Sequence, residues 1–223
     1  MGRFAICMTL LLALLAQPAQ AAGLGAELQA RYAGMKTFTA VFNQTLTHKE
    51  SGMKEARTGR LAFAKPQLIR WEAKAANGGS ELLVVGAREI WNYLPEEEIA
   101  YRMPLSLVQD SRSIIQVVTG QARLDRDFDV KEQGMENDLL RLRLYPREPL
   151  PQMVEASVWV APGSKLIRRV LVTDFYGNTN DIVLTDIVPD AAVPASSFQF
   201  TPPRGVTVED RMDPSVQERE LFQ

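Results

Sequence analysis

From Thr37 onward the chain alternates. Phe38, Ala40 and Phe42 take every second position, with Thr37, Thr39, Val41 and Asn43 between them. That is the period of a strand with one buried face. Similar short runs recur at 58–63, 68–72, 81–85, 89–93, 99–103, 128–131, 139–145, 154–160, 166–174 and 179–188. Turn formers punctuate them: Ser51-Gly52, Lys65-Pro66, Asn77-Gly78-Gly79, Pro162-Gly163 and Tyr176-Gly177-Asn178. A series of about eleven short strands with such tight breaks predicts a meandering antiparallel sheet. A sheet of that size curls rather than lying flat, and its one apolar face needs cover.

The cover is also written in the sequence. Residues 23–36 place Leu24, Leu28, Tyr32 and Met35 at helical spacing. A second helix is predicted over 105–119, capped by Ser106, closed by Gly120 and carrying a stripe of Leu107, Ile114, Ile115 and Val118. A short helical turn is expected at 124–127. No linker or repeat divides the chain.

Residues 1–21 read as a secretory signal peptide. Arg3 supplies the positive start, residues 4–16 are apolar apart from Thr9, and Ala19-Gln20-Ala21 is a cleavage site. The apolar run is shorter than the ~20 residues a spanning helix needs. An exported, soluble protein of the bacterial periplasm is expected. The single Cys, Cys7, falls within the signal, and no Cys stands at the cleavage point to take a lipid anchor.

Chemistry is sparse. Lys and Arg number 25 against 27 Asp and Glu, a balance that argues against a nucleic-acid face. One His and one Cys exclude His-pair metal motifs, Cys-rich metal sites and an internal disulfide framework. His48, in Thr47-His48-Lys49-Glu50, reads as an exposed turn residue. No nucleophile elbow, phosphate loop or dinucleotide fingerprint occurs. Glu96-Glu97-Glu98 reads as a solvated turn. Asp125, Asp127 and Asp129 have the spacing of a calcium loop, but Val130 stands where that loop needs Gly. No enzyme, metal or cofactor is expected. What the strands do carry is large side chains: Phe38, Phe42, Phe63, Ile69, Trp71, Trp91, Tyr93 and Trp159. They either fill a core or line a ligand cavity enclosed by sheet and helices.

Five segments, in order, resemble the periplasmic lipoprotein carrier family, LolA. They are the F-x-x-x-F-x-Q run Phe38-Thr39-Ala40-Val41-Phe42-Asn43-Gln44; the stretch from Gly59 through Lys65-Pro66 to Trp71; Gly86 with Trp91-Asn92-Tyr93-Leu94-Pro95; Asp174 with Gly177-Asn178; and the closing run from Phe198 to Val208, with its Pro202-Pro203-Arg204-Gly205-Val206. The resemblance implies an incomplete antiparallel β-barrel of about eleven strands, covered by two or three helices that act as a lid. It divides the chain into signal peptide (1–21), carrier domain (22–208) and charged tail (209–223). It implies a chaperone, monomeric and without cofactor, that takes acylated lipoproteins from an inner-membrane ABC-type release complex. Delivery would be to an outer-membrane acceptor, itself a lipoprotein of similar fold.

The resemblance also implies roles. Lys65 stands where the family places a basic residue that donates hydrogen bonds to the lid. Ile69 stands where related carriers place a Phe needed for transfer. Trp71 would line the cavity; Phe42, Phe63 and Trp91 are placed there with it by their size on the strands rather than by the resemblance. Leu28 and Tyr32 on the first helix, and Ile114, Ile115 and Val118 on the second, would be inward-facing lid residues. Two other roles for this fold weigh less: an acceptor would need the missing cysteine, and a periplasmic lipid sensor would need a second domain. A secreted hydrolase lacks a nucleophile–base arrangement.

Overall fold

The structure, a computed structural model, describes residues 23–109, 112–148 and 150–212. The signal-peptide reading and the tail beyond Met212 lie outside these residues. The alternation seen from Phe38 becomes β1 (Thr37–Thr47), and the following runs become β2 (Lys54–Ala64), β3 (Leu68–Ala75), β4 (Ser80–Val85), β5 (Glu89–Leu94) and β6 (Ile99–Pro104). The second half supplies β7 (Phe128–Glu136), β8 (Leu139–Pro146), β9 (Glu155–Val160), β10 (Ile167–Thr173) and β11 (Thr179–Pro189). A last strand, β12 (Thr207–Asp210), pairs parallel with β6 and carries the sheet through Asp210.

All twelve described strands form one sheet in the order β12-β6-β5-β4-β3-β2-β1-β11-β10-β9-β8-β7. The outer strands β12 and β7 do not pair with each other, so the antiparallel barrel is incomplete. Each hairpin has its own turn chemistry. Between β10 and β11, the Asp174 carboxylate accepts both the Asn178 backbone N–H and its side-chain amide, each at 2.8 Å, around Gly177 at φ +81°.

Strand pleating sends alternate residues to the concave face, where the core sits. Phe38, Ala40 and Phe42 meet Leu61 and Phe63 of β2, Ile69 and Trp71 of β3 and Leu184 of β11. Helix α1 (Leu24–Gly34) buries Leu24, Leu28 and Tyr32 against the same core. Its first N–H is satisfied by Glu132 of β7, whose Oε1 accepts from Leu24 at 2.6 Å.

The second helix differs from its expectation. The 105–119 stretch forms two short helices, α2 (Ser106–Gln109) and α3 (Ile114–Val118). Ser113 is extended at φ −66°, ψ 148° and opens α3 anew, without a side-chain capping bond. The Gln116 side chain donates to the buried Val108 carbonyl at 2.7 Å and ties the pieces together. Gly120 ends α3 at φ +69°, as its position predicts. A short α4 (Leu124–Asp127) follows. Among the described residues no helix is long and apolar enough to cross a membrane.

Candidate functional site

The concave face changes character along its strands. Near the start of β1 it is packed with aromatic rings: Phe38 lies 5.4 Å from Phe63 and 6.2 Å from Tyr32, centroid to centroid. Toward the far end of β1 the inward positions become Gln44 and Leu46, opposite Arg57 and Glu55 of β2 and Ile182 and Asn180 of β11.

There a cavity of about 280 Å³ opens between sheet and helix. Ile114, Ile115 and Val118 of α3 form one wall, and Trp71, Leu83, Leu46 and Ile182 face them from the strands. Gln44, Asn180, Arg57 and Glu81 make its polar end. Gln44 donates to Asn180 Oδ1 at 3.0 Å. Arg57 is held by Glu55 at 2.7 Å and Glu81 at 2.6 Å. Burial works against the Arg57 cation, but these two carboxylates outweigh it and raise its pKa above the ordinary value.

Of the expected site residues, Trp71, Ile114, Ile115 and Val118 come together around this cavity. Phe42 stacks on Trp71 at 4.0 Å and forms the next layer. Phe63, Ile69, Leu28 and Tyr32 are buried in the packed core beneath α1 rather than on the cavity wall. Trp91 does not join them. In β5 it is Ile90 that points into the core, so the pleat turns Trp91 to the opposite face, where it meets Phe200 at 5.6 Å and donates to Glu89 at 2.8 Å. Reasoning from the sequence did not single out Gln44 and Leu46 as cavity residues, though they continue the alternation Phe38, Ala40, Phe42. It also missed Leu83, Asn180 and Ile182, and the charged pair Arg57 and Glu81.

Polar contacts fasten α1 at several points. Lys65 Nζ donates to the Ala33 carbonyl in the last turn of α1, where carbonyls are left free and a cation suits the helix dipole. Tyr32 Oη accepts the Ile167 N–H at 3.1 Å. Burial pushes the Tyr32 phenol up to about 12, only partly offset by that bond and by Arg31. Lys165 pairs with Glu27 at 2.7 Å. Among the described residues no group of three or more His, Cys, Asp or Glu is placed to hold a metal ion. Asp125 instead accepts from Gln29, and Asp129 pairs with Arg147.

Residues 33–201 match the family described as outer membrane lipoprotein carrier protein LolA. The chain belongs to the LolA family. The outer-membrane lipoprotein carrier protein of Chromobacterium violaceum is 31% identical over 194 residues, covering 87% of this chain and 90% of that relative. Its counterpart in Bordetella pertussis is 28% identical over 197 residues, with 88% and 90% covered. An uncharacterized conserved protein from Thermus thermophilus shares the fold, with a TM-score of 0.55 at 14% identity over 83% of this chain and 98% of that one.

Within this LolA chain the signature residues have physical reasons. Gly59 lies under the Phe42 ring: a Cβ there would sit 2.5 Å from the ring and 1.8 Å from the Glu72 carbonyl oxygen. The missing side chain thus lets Phe42 lie flat on β2 and reach Trp71. Lys65 directly follows β2 and reaches α1, and Trp71 carries the stack into the cavity wall.

Proposed function

We propose that this chain is a periplasmic chaperone that shelters the acyl chains of lipoproteins between the inner and outer membranes. The carrying observation is the cavity under α3, whose apolar wall is built from both the sheet and α3. Exposing a chain of about sixteen carbons to water costs roughly 12 kcal/mol at ~0.8 kcal/mol per CH₂, so unassisted crossing is negligibly slow. A carrier must hide the chain yet surrender it to a membrane. A cover that meets the cavity through the side chains of a five-residue helix, with a neighbouring helix tethered by a few hydrogen bonds, suits both demands.

In this reading the signal at 1–21 exports the protein. It then loads as a monomer at an inner-membrane ABC-type release complex and unloads at an outer-membrane acceptor. Leu28, Tyr32 and Lys65 act as the fastened part of the cover, and Ile114, Ile115 and Val118 as the part that contacts acyl chain. Phe42, Phe63 and Ile69 become chain-contacting as the cover swings away. Binding and release, without chemical conversion of the cargo, make up the whole activity. Mature protein added to spheroplasts is expected to release outer-membrane lipoproteins into solution; no release contradicts the proposal.

A further inference from the structure

The apolar chamber and the polar end of the cavity belong to one space, so a bound amphiphile lies with its linkage against the polar end. We infer that this end selects neutral acyl esters and amides and rejects acyl carboxylates; the inference rests on the carrier reading. Gln44 is only 8% exposed, and one of its amide hydrogens is used on Asn180. A primary amide has two donor hydrogens, which leaves N–H at the Gln44–Asn180 pair for a ligand carbonyl.

Arg57 looks at first like a receptor for an anion. It is not available as one, because Glu55 and Glu81 already hold it at 2.7 and 2.6 Å. One guanidinium against two carboxylates leaves the cluster with a net negative charge. Arg57 and Glu81 also line a second cleft of about 170 Å³, where Glu96 and Glu97 are exposed to water and add little to the charge felt in the cavity. At the part-buried Glu55–Arg57–Glu81 cluster a ligand carboxylate therefore meets net like charge that water screens less than at the open surface. An ester or amide brings no charge and only acceptor oxygens. Acyl chains linked by ester and amide are thus admitted, while free fatty acids are turned away.

The test uses dodecanoate, its methyl ester and its primary amide, each displacing a naphthylamine fluorophore from the mature protein at neutral pH. The ratio of acid to ester affinity is the readout. In Glu55→Gln/Glu81→Gln, Arg57 is freed, and the ratio is expected to shift toward the acid by at least ten-fold. Glu81→Gln alone should give a smaller shift in the same direction, and Arg57→Gln a shift away from the acid. A ratio that stays the same in the double variant and in Glu81→Gln overturns the inference. Failure of the wild-type protein to bind the fluorophore or any of the three ligands overturns the carrier reading itself, and the absent signal tells the two failures apart.

Discussion

Gly120 lies against the ring of Tyr32, so close that a Cβ at Gly120 would sit 2.2 Å from Tyr32 Cδ1. Gly120 also holds φ +69°. The C-terminus of α3 and the buried face of α1 therefore meet without a side chain between them. Gly120→Ala adds a left-handed penalty of ~1–2 kcal/mol and an overpacking cost of ~1–3 kcal/mol. Thermal unfolding should show a clear fall in Tm. Gly34→Ala, at a glycine with nothing within 4 Å of its Cβ position, should leave Tm unchanged or raise it.

Tyr32 makes a second link, to Ile167 of β10 at 3.1 Å. Tyr32→Phe strands a buried N–H and should cost ~1–3 kcal/mol in a urea titration. Its pH dependence has a definite sign. The phenol titrates near 10 in the unfolded chain and about 12 in the folded one. The folded state therefore keeps the proton longer, and the stabilisation is complete below pH ~10 and lost as pH rises toward 12. Tyr32→Phe should show a flatter loss of stability across that window than wild type.

Lys65 reaches the Ala33 carbonyl at the end of α1. Removing a cation from a helix C-terminus costs about 0.3–1 kcal/mol. Lys65→Met should therefore change global stability little, yet speed amide hydrogen exchange in the last turn of α1. Exchange unchanged in that turn would refute the fastening role. If the fastening also governs release, the same variant transfers a loaded acyl fluorophore to vesicles at an altered rate.

Gly59 sets the Phe42–Trp71 stack. Gly59→Ala drives a methyl into the Phe42 ring and the Glu72 carbonyl, costing about 3 kcal/mol or more. The 4.0 Å stacking should open, seen as a loss of near-ultraviolet circular dichroism. An unchanged spectrum and an unchanged Tm would contradict this role for Gly59.

Period-two alternation made most of this fold legible. Phe38, Ala40 and Phe42 point inward as their spacing requires, and Leu24, Leu28 and Tyr32 stack along α1. Alternation gives two faces but does not label them. In β5, side-chain size favoured Trp91 as the inward residue, whereas the pleat set by the neighbouring strands sends Ile90 inward. The parallel β12–β6 pair joins residues about a hundred positions apart, which no local pattern reveals. The cavity was half visible. Ile114, Ile115 and Val118 stood out as an apolar stripe, but Arg57 and Glu81 are charged, and charge on a strand reads as solvent-facing until the partner that neutralises it is known.

The central claim is that acyl chain enters between α3 and the sheet. Cys7 is the only cysteine in the chain, so a mature protein starting at residue 22 accepts a single introduced label. Ile115→Cys carrying a polarity-sensitive fluorophore places that label on the cavity wall. A triacylated lipopeptide should change its emission saturably, and the same peptide without acyl groups should not. Equal responses to both peptides, or no response to the acylated one, would contradict the account.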